Sequence, residues 1–174
     1  MKAHDHHKIV QILTRAHMVA TQVLEHFHPV REDGTACTGG YLVVADGQIG
    51  LPLGSLFIGE VPDDKDARYI KLAQEKALRL AANMSVRGHV LSWQSRDPER
   101  DLWGGAAYIG MGNVILSFSG FPEELDEAID LVTASIGLNV PATSLVSLAE
   151  ISSNRAFFRL MKLNGVYLTH PLAA

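Results

Sequence analysis

The chain has 174 residues, of which 47% are hydrophobic, and a formal net charge of −4, enough for one domain with a proper core and short for two. No Lys/Arg cluster exceeds an isolated pair, which excludes a basic nucleic-acid groove, and the single cysteine, Cys37, excludes an intrachain disulfide or thiolate cage and fits a reducing cytoplasm. Met1 to His7 is polar rather than signal-like, and no apolar run approaches the roughly 20 residues of a bilayer span, so a soluble, cytoplasmic chain without membrane contact is expected.

Lys8 to His28 carries helical periodicity through Ile9, Leu13, Ala16, Ala20, Val23 and Phe27, and His28-Pro29 ends it. Gly40 to Asp46 is β-rich and stops at Asp46-Gly47, a hairpin dipeptide. Ile49 to Val61 returns as a second strand, with Pro52 at an edge or bulge. Asp64 to Met84 is a helix with acids in its first turn and a stripe of Ile70, Ala73, Ala77, Leu80, Ala81 and Met84. Glu75 and Arg79 read as an ordinary surface pair. Gly88 to Ser95 is predicted as a third strand, followed by the charged loop Arg96 to Asp101.

Trp103 to Gly137 is the most informative stretch. A glycine pair leads into a short strand, Gly110 to Asn113 turns the chain, and Val114 to Ser119 forms another strand. Gly120-Phe121-Pro122 then starts a helix that runs to Ser135 or Ile136, with Gly137 as its left-handed cap. Leu125, Ala128, Ile129, Val132 and Ile136 form its inward face, and Glu123, Glu124, Asp126 and Glu127 crowd its positive end. Beyond Pro141 come a short helix and a longer one, Ser153 to Asn164, stopped by Gly165. The grouping of strands in hairpins predicts an α+β fold: a profilin-like antiparallel sheet of about five strands, flanked by helices, with an extra C-terminal helical segment. The expected organisation is one domain over 1–174, with a core at about 8–137 and a tail, 138–174, packed on that core or on a second subunit.

The run V-V-A-D46-G47 after a helix, Glu75-Lys76-Ala77 in the next helix, Gly104-Gly105-Ala106 leading to Asn113 through Gly120, and Asp126-Glu127 together resemble the GlcG/HbpS-like haem-binding family, also called the haem-degrading domain. The resemblance covers roughly residues 8 to 137. It implies a profilin-like fold, homo-oligomeric assembly and the binding of haem or a related tetrapyrrole.

Candidate ligand-binding residues are His17, Gly104, Gly105, Gly112, Ser119 and Gly120. The glycines uncover backbone at the hairpin-to-helix junction, and the Pro122 helix offers free N–H groups to a carboxylate or propionate. His17, on the apolar flank of the first helix, is a possible axial iron ligand or a helix-edge histidine bonded to a neighbour. His89 is equally a strand-end residue, and His4, His6 and His7 are either metal-catching or a disordered polar terminus. Ser117 and Ser119 lack a nucleophile elbow and read as strand-end hydrogen bonders. Gly110-x-Gly112 is at most a fragment of a phosphate loop, and Asp97, Glu99 and Asp101 fit a solvated loop. No catalytic set and no metal site emerges from the spacing. The expected function is small-molecule binding; the alternative is a cofactor-free homo-oligomeric interaction or regulatory module.

Overall fold

In strand β1 (Gly39–Asp46) Leu42 and Val44 are buried on one face and Val43 and Ala45 on the other, so this strand has to run through the middle of a sheet covered on both sides. The computed structural model describes residues 3–31, 33–170 and 172. Within them β1 pairs antiparallel with β2 (Pro52–Gly59) and with β4 (Val114–Ser119), and β4 pairs with β3 (Ala106–Ile109), in the order β2-β1-β4-β3. The α+β class and the antiparallel sheet agree with the sequence expectation. The sheet has four strands rather than about five.

The missing strand is the one expected at Gly88 to Ser95. Only Leu91 bridges β3, at Ala107, with the Tyr108 N–H donating to the Val90 carbonyl at 2.9 Å. The Gln94 side chain then accepts from the Val90 and Leu91 N–H groups at 2.8 and 3.0 Å, and Ser92–Ser95 winds into a 3-10 turn. A side chain has replaced the ladder that would have extended the strand.

β2 is an edge strand, and its register against β1 shifts between Val44 and Ala45, opposite Gly54 and Pro52, as a proline in a strand requires. The hairpin turn is built by Asp46, whose carboxylate accepts from the Gln48 and Ile49 N–H groups at 2.8 and 3.1 Å. Gly50, at φ 70°, supplies its left-handed residue, rather than Gly47.

One face of the sheet is covered by α2 (Asp63–Arg87), whose Ala73, Ala77, Leu80 and Ala81 lie on Val43, Ala45, Ala106 and Ile115. The other face carries α1 (Ala3–Phe27) and α3 (Glu123–Leu138), and outside α3 lie α4 (Ala142–Ser152) and α5 (Arg155–Leu163). His6 and His7, expected in a disordered terminus, are exposed residues of α1. Every residue of α3 from Leu125 to Ala134 is buried, acids included, because sheet, α1 and the C-terminal helices surround it. Its left-handed cap is Asn139 (φ 55°), not Gly137, which lies inside the helix against Ile12 and Arg15 of α1. Phe157, Phe158, Leu160 and Met161 of α5 belong to the same apolar cluster as Ile12 and Leu42, so the tail packs on its own core. Among the described residues no helix is long and apolar enough to cross a membrane.

Candidate functional site

The hairpin-to-helix junction singled out in the sequence is the most polar part of the interior. Lys76 of α2 is 1% exposed, and its ammonium donates to the Phe118 carbonyl and to the Asp126 carboxylate, each at 2.9 Å. Asp126 also accepts from the Phe121 N–H at 3.0 Å. This ion pair ties α2, on one face of the sheet, to α3 on the other. It passes beside Gly105 (φ 95°), where a Cβ would lie 2.6 Å from Asp126 Cβ and 3.0 Å from Lys76 Nζ. Burial outweighs the lysine and pushes the Asp126 carboxyl up to about 6. One turn on, burial and the Asp126 charge hold Asp130 well above the usual carboxylate range. Its Oδ2 accepts from the Phe118 N–H at 3.3 Å, and its Oδ1 has no partner among the described residues. One ammonium among two buried carboxyls explains the difference, since a second charge would stand without a counter-ion.

The remaining acids of α3 are spread around this pair. Glu123 accepts from the Gly104 N–H at 2.8 Å and from Arg96 at 2.6 Å. Glu124 accepts from the Arg155 and Ala156 N–H groups at 2.8 and 3.0 Å and so caps α5. Glu127, fully buried, accepts from the Ser152 hydroxyl and from Asn154 at 3.0 Å through Oε1, while Oε2 has no partner among the described residues. Burial pushes the Glu127 carboxyl up to about 7, against those two hydrogen bonds.

Among the described residues, two cavities that open to solvent bear on a site. A narrow one of about 210 Å³ lies beside α3 and is lined by Trp93, Glu124, Glu127, Ser152, Asn154 and Arg155, with Ser153 at its rim. A wider, more apolar one of about 470 Å³ lies where α1 meets the ends of β1 and β2. Leu24, Pro29, Val30, Ala36 and Cys37 wall it, with His28 and Glu60 among its polar groups. Burial pushes the Cys37 thiol up, so it is held protonated.

Of the sequence candidates, Gly104, Gly105, Ser119 and Gly120 do come together around the start of α3, and all four are buried. They line neither cavity. Gly112 is at the other end of the β3–β4 hairpin, near Val114, Leu138 and Lys8, and His17 is an exposed residue of α1 that also lines neither cavity. Gly120 (φ 153°) is a packing requirement: a Cβ there would lie 2.4 Å from the Gly39 carbonyl oxygen and 2.6 Å from Gly40 Cα. Gly120→Val would therefore disrupt the fold itself. Around this junction the Phe121 N–H is taken by Asp126 and the Gly104 N–H by Glu123, while in the first turn of α3 the Leu125 and Asp126 N–H groups donate to the Pro122 carbonyl at 2.8 and 3.0 Å.

Arg79, expected on the surface, is a half-buried staple: besides Glu75 at 2.6 Å it donates to the Ser92, Ser95 and Trp103 carbonyls at 3.0, 3.0 and 2.6 Å. It fixes the segment that carries Trp93. Asp97, half-buried, and Asp101, exposed, lie in one loop, with Asp101 paired to Arg68 at 2.9 Å. Among the described residues no three His, Cys, Asp or Glu side chains gather as a metal site. Comparison with protein-family models, with curated proteins and with solved structures finds no match for this chain.

Proposed function

We propose that the chain is a small-molecule-binding protein whose principal site is the wider pocket between the end of α1 and the β1–β2 pair. The observation that carries this reading is the pocket itself: about 470 Å³ with largely apolar walls and few polar groups, within the range of about 300–1,000 Å³ common for such sites. Haem or another tetrapyrrole is the ligand class that the sequence resemblance suggests. His28 and Cys37 are the lining side chains able to ligate iron, and the protonated state of Cys37 favours His28. When bound, haem would supply iron redox and oxygen chemistry; the protein's part would be an apolar wall and one imidazole.

Haemin titration of the purified chain tests this. One equivalent should shift the Soret band, His28→Ala should remove most of the shift, and His17→Ala should leave it intact. An unshifted Soret band rules out haem. The broader reading fails if an apolar fluorescent dye also finds no saturable site that Cys37→Trp blocks.

A second reading, a cofactor-free homo-oligomeric module, is favoured by one observation. The backbone edge of β2 is unpaired among the described strands, and beside it Leu51, Leu53 and Phe57 are exposed.

A further inference from the structure

We infer that the narrow cavity beside α3 is a second ligand site, one that takes a small primary ammonium group, with Glu127 as its anchor. Glu127 is fully buried, lines the cavity, and has one carboxylate oxygen satisfied by Ser152 and Asn154 and the other unpartnered among the described residues. A buried carboxylate oxygen without a donor calls for one. An ammonium brings three donors and a compensating charge.

The surroundings choose the sign of the ligand. Glu124 and Glu127 line the cavity against a single cation, Arg155. The N–H groups at the start of α5, which would otherwise attract an anion, are already taken: Arg155 and Ala156 by Glu124, and Phe157 by Asn154 at 2.9 Å. Trp93 supplies an aromatic wall for the carbon chain of an amine, with Arg96 lying 5.0 Å from its ring centroid. The cavity of about 210 Å³ has room for a small amine and is below the range of about 300–1,000 Å³ common for larger ligands such as nucleotides.

Titration of the full-length protein with n-butylammonium at pH 8, where Glu127 has released its proton, followed by amide and indole NMR shifts, tests the site. Saturable binding is expected, with shifts at Trp93, at Glu124 to Glu127 and at Ser152 to Arg155. Butanol and butyrate should bind at least about tenfold more weakly. Glu127→Gln should weaken the amine about tenfold or more. Arg155→Ala, a change at an exposed side chain, should strengthen it a few-fold by removing the competing charge. Equal binding of butanol, shifts that map elsewhere, or no saturable binding overturns the proposal. So does an unchanged affinity in folded Glu127→Gln. Where circular dichroism finds that variant unfolded, Arg155→Ala decides: an unchanged or weakened affinity there refutes the site.

Discussion

Lys76 reaches from one helix layer to another to meet Asp126, with both side chains about 2–3% exposed. Such a pair adds little over a well-packed apolar replacement, but half of it is costly. Lys76→Met should therefore lower unfolding free energy by about 3–5 kcal/mol near neutral pH, and Lys76→Met/Asp126→Leu should recover most of that loss; urea midpoints of the three proteins check it. Glu127 carries the clearest pH dependence. Its folded pKa of about 7 stands above the ordinary 4.5, so between those values the native state holds a proton that the unfolded chain has released. The stability linked to that proton is complete below 4.5 and is lost as pH rises through 7. Glu127→Gln imitates the protonated form, and its urea midpoint should fall less than the wild type's between about pH 5 and pH 8. Equal pH slopes would mean that Glu127 is ionised in the native protein throughout. A trace of this chemistry was legible in the sequence. Lys76 stands three residues after Ala73 and four before Leu80, inside the apolar stripe, which is an unusual place for a lysine. Its partner on another helix was not legible, because pairing across the sheet depends on tertiary geometry and on the space left by Gly105.

At the scale of elements, α3 departs furthest from its pattern. An amphipathic reading assigns Asp126, Glu127 and Asp130 to the polar face, but that face is covered from two sides: Asp126 and Asp130 meet Lys76 and Phe118, and Glu127 meets Ser152 and Asn154. Periodicity finds a helix; it does not count how many neighbours the helix has. The same helix separates two readings of Gly137. As a left-handed cap, Gly137 would resist a side chain. Within the helix, where an added Cβ meets Arg15 carbons at an ordinary 3.4 Å, Gly137→Ala should stabilise the protein by about 0.5–1 kcal/mol through helix propensity alone. Asn139→Gly, at the true cap with φ 55°, should be neutral or stabilising. Thermal unfolding of the two variants checks the assignment, and a destabilised Gly137→Ala would return the cap to Gly137. The strands were read more accurately than the helix surroundings, since β1 and β4 declare themselves through β-branched runs bounded by glycine and Asp-Gly. Gly88 to Ser95 misled because its composition suits a strand, while Gln94 diverts the very N–H groups a strand would use.

Over the whole molecule, the arrangement of layers decides where another copy can sit. The large apolar residues of α5 do not support self-association, because Phe157, Phe158 and Leu160 are at most 4% exposed and of these four only Leu163, at 45%, faces outward. The sheet's two edges differ. β3 is short, and Leu91 bridges it, whereas β2 is eight residues long with no strand beyond it among the described residues. α2 lies over β1, β4 and β3, and leaves Phe57 of β2 exposed next to Tyr41, with ring centroids 5.5 Å apart. A strand edge can pair with its own copy about a twofold axis, since antiparallel β2 against β2 satisfies both backbones at once. The exposed Leu53 and Phe57 would then be covered from both sides. If the chain assembles, light scattering at micromolar concentration should give the mass of a dimer, and Phe57→Lys should return the monomer without changing the circular dichroism spectrum, because Phe57 is 45% exposed and contributes little to the core. A wild-type monomer at that concentration would remove the assembly reading. A dimer that persists in Phe57→Lys would place the contact on some surface other than β2.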